Sequence, residues 1–425
     1  MRGRGRKKLT AVQSGQASAL ACPDYLLRHE VPSPCFVIDE DALKANAAIL
    51  DEVQRRTGAR ILLALKAYAA WKTFPLLSRS QNGPLWGTCA SSVDEARLGR
   101  EKFGGIVSAF AAAWSEEEIR ELLETADHII FNSTAQWRRY KPLIDEANKT
   151  ERKDSPVECG LRFNPEHSEG AAVLYNPCAP GSRLGIRRKN LDLEVLPPEI
   201  SGAHFHTLCE QNADALARTL ETFEKKFGKQ IRACRWINFG GGHHITRKDY
   251  DIDLLCSCLT DWRERYKARI YLEPGEAVAL NAGWLLCTVL DIMEADMPVA
   301  ILDISAACHT PDVLEMPYRP EVCYLANASS PPAIAGQPGE HACSYRLGGK
   351  SCLAGDDIGV YSFKAPLRIG QKLAFADMAI YSMVKTTTFN GLRLPSIGLF
   401  STAGGKARFG LLKTFGYEDF RERLS

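Results

Sequence analysis

The run ARILLALK (59–66) is almost continuously apolar and ends on a lysine. A short apolar run of this kind suits a strand buried on both faces, as in a parallel sheet covered by helices. Seven more follow: LWGTCAS (85–91), GGIVSAF (104–110), DHIIFNS (127–133), VECGLRF (157–163), GAHFHTL (202–208), RWINFGGG (235–242) and RIYLEPG (269–275). Between them lie helix-like segments such as SSVDEARLGREKF, SEEEIRELLETA and NADALARTLETFEKKFG. The first two open with serine before acidic residues, which suits a helix N-terminus. Eight runs separated by helices is the count for a (β/α)₈ barrel; a doubly wound open sheet predicts the same alternation, usually with fewer strands. The polar and glycine residues favour the barrel. Lys66, His206, Gly240, Gly241, Gly242 and Glu273 all fall at the carboxyl ends of runs, the end that carries chemistry in a barrel. The reading is therefore an α/β chain with a TIM-like barrel over 41–282.

Before the barrel, CFVID (35–39) reads as a strand, and EDALKANAAILDEVQRRTG as an amphipathic helix with Leu43, Ala47, Leu50 and Val53 on one face. Past Ala282 the helical period disappears. WLLCTVLDIM, PVAILDIS, QKLAFAD and AIYSMVKTTTFNG are strand-like and separated by Gly/Pro-rich turns, which predicts a mostly β second domain. CFVID is spare for the barrel and pairs there, so 31–40 and 283–425 are expected to form one β domain from both ends of the chain. Residues 1–30 are expected to be a disordered basic extension. Its first twenty residues carry five positive charges and no acid, leaving −3 on the remainder of a chain whose net charge is +2. That composition also suits a transit peptide.

Composition excludes several classes. With 45% hydrophobic and 24% charged residues the chain is not intrinsically disordered, and its 33 Gly and 22 Pro follow no collagen-like repeat. The longest apolar stretch, AVALNAGWLLCTVLDIM (277–293), is broken by Asn281 and Asp291, whereas a bilayer needs about 20 clean residues; no membrane span is expected. The small net charge gives no reason to expect nucleic acid. The fourteen cysteines show no CxxC pair and no Cys/His ligand spacing, so no metal is expected. No secretory signal is visible, and the cysteines read as reduced thiols in the cytoplasm.

Several residues could carry chemistry. Lys66 could simply reach solvent, or its amine, crowded by apolar walls, could form a Schiff base. His204 and His206 are expected on one face of a strand, where they could bind metal, stack on a flat ligand or be satisfied core histidines. FGGGHH (239–244) is a tight turn or a row of backbone N–H groups for an anion. Glu273 of EPGE could form a structural salt bridge or keep a heteroaromatic nitrogen protonated. Cys352 in GGKSCLAGD could be inert or donate a proton to a carbanion, with Asp356 four residues on. Tyr381 could be an interior aromatic or a phosphate ligand. Taken together, these groups describe a site for pyridoxal 5′-phosphate.

From Pro34 to about Phe400 the sequence resembles the fold-type III pyridoxal-phosphate decarboxylases that act on ornithine, arginine and diaminopimelate, with alanine racemase more distant. Within that group LALKAY, GAHFHTLCE, NFGGGHH, LEPGEAVA, CHTPDVLEMPYRP and CLAGD resemble the carboxynorspermidine/carboxyspermidine decarboxylase family. The resemblance implies that Lys66 holds the cofactor, His206 stacks on its ring, Gly240, Gly241 and Gly242 bind its phosphate with Tyr381, and Glu273 partners the pyridine nitrogen. It implies that Cys352 is the proton donor, reaching the site from the other subunit of a homodimer. Glu276, Asp312 and Asp356 would bind a carboxypolyamine substrate. The better-known decarboxylases usually read EPGR and follow the stacking histidine with Gly-Ser; here Glu276, Leu208 and Cys209 occupy those places. A carboxylate at 276 suits a substrate with amines in its tail. The alternative is a decarboxylase of diaminopimelate or another basic amino acid on the same fold.

Overall fold

The computed structural model describes residues 22–170 and 175–425. The chain runs through β1 (Cys35–Asp39) and then the strands of the barrel: β2 (Arg60–Ala64), β3 (Gly87–Ala90), β4 (Ile106–Phe110), β5 (His128–Phe131), β6 (Glu158–Asn164), the short β7 (Ile186–Arg187), β8 (Ile200–His204), β9 (Trp236–Asn238) and β10 (Arg269–Leu272). The order β5-β4-β3-β2-β10-β9-β8-β6 closes on itself through β5 and β6, and β7 only extends the end of β6. All these pairings are parallel. The eight apolar runs are thus the eight barrel strands, because each strand is covered by side chains on its inner face and by helices on its outer one.

The helices form where the local chemistry asks for them. Glu40–Thr57 buries Leu43, Ala47, Leu50 and Val53 on one stripe; the Asp39 side chain accepts from the Asp41 and Ala42 N–H groups at its start, and Gly58 ends it at φ 70°. Ser92 and Ser115 cap Val93–Leu98 and Glu116–Thr125, and Ser115 with Glu118 closes a capping box. The amino end of the barrel is filled. Trp236 lies over Gly160 and Gly202, where a Cβ at Gly202 would come within 2.0 Å of the indole. His128 stacks on Trp236 with centroids 4.6 Å apart, and Tyr271 meets it edge-on.

The second domain contains β11 (Gly283–Met293), β12 (Val299–Leu302), β13 (Val322–Leu325), β14 (Pro332–Ile334), β15 (Cys343–Gly348), β16 (Asp357–Phe363), β17 (Lys372–Ala376), β18 (Ser396–Ser401) and β19 (Arg408–Lys413). Its main path is β14-β13-β17-β11-β1-β18-β19, with β12, β15 and β16 branching from β11. The strand from the front of the chain sits inside this sheet, antiparallel to β11 and parallel to β18.

Two expectations need correction. Residues 1–21 of the basic extension lie outside the described residues, but its last part is folded: Asp24–Arg28 is helical, and Cys22, Leu26 and Leu27 pack with Trp284, Leu286 and Phe400. The segment AIYSMVKTTTFNG is not a strand. It runs in turns, with positive φ at Tyr381 and Asn390, because its backbone groups bond elsewhere, Tyr381 N–H to Ala67 and Thr387 N–H to Cys308. Among the described residues no helix is long and apolar enough to cross a membrane.

Candidate active site at the carboxyl end of the barrel

After β2 the chain turns on the Ala64 carbonyl, which accepts the Ala67 N–H at 3.1 Å, and the turn presents Lys66 on the exposed rim. The neighbouring strand β10 leads into EPGE, and the Ala64 N–H reaches the Pro274 carbonyl at 3.2 Å. Gly275 permits this approach, since a Cβ there would stand 2.5 Å from that of Ala67.

Glu273 is buried beside them. Its Oε1 accepts from the Asn238 amide at 2.6 Å, and its Oε2 lies 3.2 Å from His204 Nε2. Burial alone would push this carboxyl up, but His204, the Asn238 amide and the nearby Lys66 charge outweigh it and hold Glu273 below the usual carboxylate range. His204 goes the other way: burial, then the cations Arg162 and Lys66, outweigh its attraction to Glu273 and keep the imidazole neutral. The result is an ionised carboxylate fixed by two donors. Phe110 stacks on His204 at 5.7 Å, and the Arg162 guanidinium lies 4.5 Å from the Phe110 ring centre.

The structure separates the two histidines. Strand β8 ends at His204, so His206 lies beyond it and half-buried at the mouth rather than on the same strand face. Its Nδ1 accepts the Gly241 N–H at 2.8 Å, and its carbonyl accepts from Arg162 at 3.2 Å. Burial, with Lys66 and Arg162 nearby, pushes His206 well below its ordinary value. Its ring is neutral and flat, with the proton on Nε2 because Nδ1 is an acceptor.

The glycine loop allows no substitution on packing grounds. Gly240 and Gly242 have φ of +69° and +83°, and Cβ atoms at 240, 241 and 242 would come within 2.5, 2.4 and 2.0 Å of the Phe205, Glu273 and Leu208 carbonyl oxygens. Leu208 and Cys209, which replace Gly-Ser, pass directly over Gly242.

Further along the rim Glu276 opens the helix Glu276–Ala279, and its Oε2 lies 3.1 Å from His244 Nε2. Tyr381 is anchored by its N–H to the Ala67 carbonyl at 2.9 Å and has φ +30°. Burial, then the Glu276 charge, the thiols of Cys209 and Cys89 and the Asp312 charge, push its phenol up. Asp312 holds Lys385 at 2.5 Å, and Lys385 also reaches Glu315 at 2.5 Å.

Two expected residues stand apart. Cys352 is exposed on the turn between β15 and β16, its N–H on Asn390 Oδ1 at 2.8 Å; no hydrogen bond or ion pair among the described residues links it to Lys66, His206 or Glu273. Asp356, expected beside a polyamine tail, is buried instead. Its carboxylate accepts the N–H groups of Ala306 at 2.6 Å and Ser351 at 3.1 Å, which commits it to holding loops together.

Asn238, Arg162, Phe110, His244 and Lys385 went unnoticed in the sequence. Only Asn238 left a usable signal: it pairs in register with His204 on β8 and Tyr271 on β10, so a polar side chain at the last residue of β9 must meet Glu273 two residues past Tyr271.

This architecture is that of the fold-type III decarboxylases. The structure superposes on diaminopimelate decarboxylase from Helicobacter pylori, complexed with L-lysine, with a TM-score of 0.71 over 93% of this chain and 97% of that one; at 16% identity this is likeness of fold alone. Sequence narrows the class. The chain is 43% identical over 396 residues to carboxyaminopropylagmatine decarboxylase of Synechocystis, covering 93% of this chain and 96% of that protein. It is 39% identical over 400 residues to carboxynorspermidine/carboxyspermidine decarboxylase of Campylobacter jejuni, covering 93% and 99%. The crystal structure of carboxynorspermidine decarboxylase complexed with norspermidine from Campylobacter jejuni gives a TM-score of 0.78 at 36% identity over 92% of this chain and all of that one. No protein-family model matches the chain. The chain belongs to the carboxynorspermidine/carboxyspermidine decarboxylase family and is a decarboxylase of polyamine biosynthesis.

Proposed function

We propose that the chain, with pyridoxal 5′-phosphate, decarboxylates carboxynorspermidine, carboxyspermidine or both to norspermidine and spermidine. The residues fit the cofactor. The Gly240–Gly242 backbone packs so closely at the mouth that a Cβ at any of the three would strike a neighbouring carbonyl oxygen, and Glu273 is ionised one strand from the Lys66 amine. Lys66 would hold the aldehyde, the neutral His206 ring would lie against the pyridine, Glu273 would accept its N–H, and Tyr381 would approach the phosphate. Bound, the cofactor supplies an electron sink for the pair left when the Cα–carboxylate bond breaks. Cys352 Sγ, supplied by a second copy, would give its proton to Cα, and the Lys66 amine would take the cofactor's aldehyde back as the product amine is released.

The observation that carries the substrate reading is Glu276, which shares its electrostatic surroundings with Glu210 and Asp377. An ammonium about 4 Å from one such carboxylate gains on the order of 4 kcal/mol of Coulomb energy at an effective dielectric of 20, before desolvation. A distal carboxylate, as in diaminopimelate, is repelled by the same group.

A second reading is favoured by the 43% identical relative, named for carboxyaminopropylagmatine. Its guanidinium carries the same charge, so Glu276 suits it equally. Carbon dioxide release from carboxynorspermidine, carboxyspermidine, carboxyaminopropylagmatine and diaminopimelate, measured side by side, separates these substrates. Preference for diaminopimelate would refute the reading of Glu276.

A homodimer is part of the proposal. Cys352 and its neighbours Leu353 and Phe389, 42% and 49% exposed, suit burial against a second copy that brings the thiol to the partner's site. The buried thiols of Cys35, Cys159, Cys234, Cys256, Cys287 and Cys308 are free, which suits the reducing cytoplasm.

A further inference from the structure

We infer that His244 is a resident counter-ion of Glu276 that a substrate ammonium displaces, and so is a specificity residue for polycationic tails. The inference rests on the decarboxylase reading above and concerns the substrate's tail rather than the reacting carbon.

His244 is 6% exposed, and its Nε2 stands 3.1 Å from Glu276 Oε2. Its Nδ1 has no hydrogen-bond partner among the described residues, so the Glu276 contact is the ring's one polar tie there. His204, in the same barrel, has a firmer tie: its Nε2 makes an aligned bond to a carboxylate that Asn238 also holds, while its Nδ1 is likewise without a partner among the described residues. The His244 ring is thus held from one side only, by Glu276. A buried polar group left in that state is disfavoured unless another participant completes the site.

The charges around it say which participant. His244 is faced by Glu276 from the helix after β10, Glu210 from the segment after β8, Asp377 from the turn after β17, and Arg247 and Asp249 from its own turn. Burial lowers the imidazole, but Glu276 and Glu210 outweigh it and raise His244 above its ordinary value. Burial and then the Glu276 charge push Asp377 up to about 7, and the same two causes raise Glu210. Three carboxylates share one imidazole, so the space gains from a second cation. Asp312 repeats the pattern by holding Lys385. Of the three carboxylates expected at the polyamine tail, Glu276 and Asp312 thus carry a cation of the protein's own.

An entering ammonium takes the place of the imidazolium beside Glu276. The ring then loses the charge that kept it protonated, and its proton passes to solvent. A tail ending in a carboxylate cannot make this exchange.

The test is titration calorimetry of norspermidine into the pyridoxal phosphate-loaded protein, in buffers of different ionisation enthalpy, for the wild type, His244→Gln, His244→Asn and Glu276→Gln. Protons tied to the cofactor and to the ligand are common to all four, so differences isolate the pair. The wild type should release up to about one proton per site more than either His244 variant, and Glu276→Gln should lose the same excess. In parallel, kcat/KM for carboxynorspermidine should rise with pH through the His244 titration in the wild type and flatten in the variants. Equal proton release by wild type and whichever variants fold, with norspermidine bound in each, overturns the inference. Failure of the wild type to bind norspermidine at all would instead overturn the substrate reading.

Discussion

Asn238 is the side chain whose removal should damage cofactor binding most cleanly, because it touches the proposed site only through Glu273 and the glycine loop. It is fully buried, gives a 2.6 Å hydrogen bond to the Glu273 carboxylate and accepts the Gly240 N–H at 2.8 Å. Asn238→Ala removes a bond to a charged acceptor, about 1.5–3 kcal/mol, and orphans a buried N–H, about 1 kcal/mol or more. Glu273 loses one of the donors that hold it ionised, and the loop loses a tether. A loss of about 3 kcal/mol corresponds to roughly 100-fold weaker binding at about 1.4 kcal/mol per decade. Pyridoxal 5′-phosphate should be titrated into the apo-protein and followed by its absorbance, with far-ultraviolet circular dichroism to confirm that the variant is folded. Asn238→Asp, which sets a second carboxylate against Glu273, should bind at least as weakly. A folded Asn238→Ala protein that binds the cofactor within about twofold of wild type would show that Glu273 does not depend on this support, and the reasoning would fail.

Two further outcomes follow from the same structure. Burial pushes His128 down to about 4 from 6.5; since the unfolded chain takes up this proton first, the residue's contribution is full above pH 6.5 and is lost as pH falls toward 4, a change of about 3 kcal/mol. The stability difference between wild type and His128→Gln, from urea unfolding across that range, should shrink by about that amount on acidification, whereas a constant difference contradicts the assignment. If Cys352 acts across a dimer, random pairing of Lys66→Ala with Cys352→Ala chains should restore about a quarter of wild-type sites; verified mixed dimers without activity would count against the shared site.

The barrel was legible because a strand enclosed on both faces leaves a continuous apolar run, and such runs do not depend on which strands meet. Lys66 and Glu273 were legible as polar residues closing those runs. Their supports were less so. Arg162 and Phe110 lie on β6 and β4 and meet His204 or His206 only because the sheet closes, and closure leaves no local pattern in the sequence. The run GAHFHTL continues past His204 and so predicts His206 on the same strand face, whereas β8 ends at His204 and the Phe205 N–H makes a last bond to the Asn238 carbonyl of β9 before the backbone turns away. The composition of AIYSMVKTTTFNG favours a strand, but tertiary bonds to Ala67 and Cys308 give it a turn. Asp356 looked available beside Cys352 because nothing in CLAGD reveals the Ala306 and Ser351 amides that fold back onto it.

The central claim is that the Lys66 amine, exposed at the mouth of the barrel beside an ionised Glu273, carries the cofactor. Borohydride treatment of the pyridoxal phosphate-loaded protein, followed by peptide mass analysis, tests it directly. The reduced cofactor's mass is expected on the peptide containing Lys66, and its loss is expected in Lys66→Ala. Labelling at another lysine, or no labelling, would contradict it.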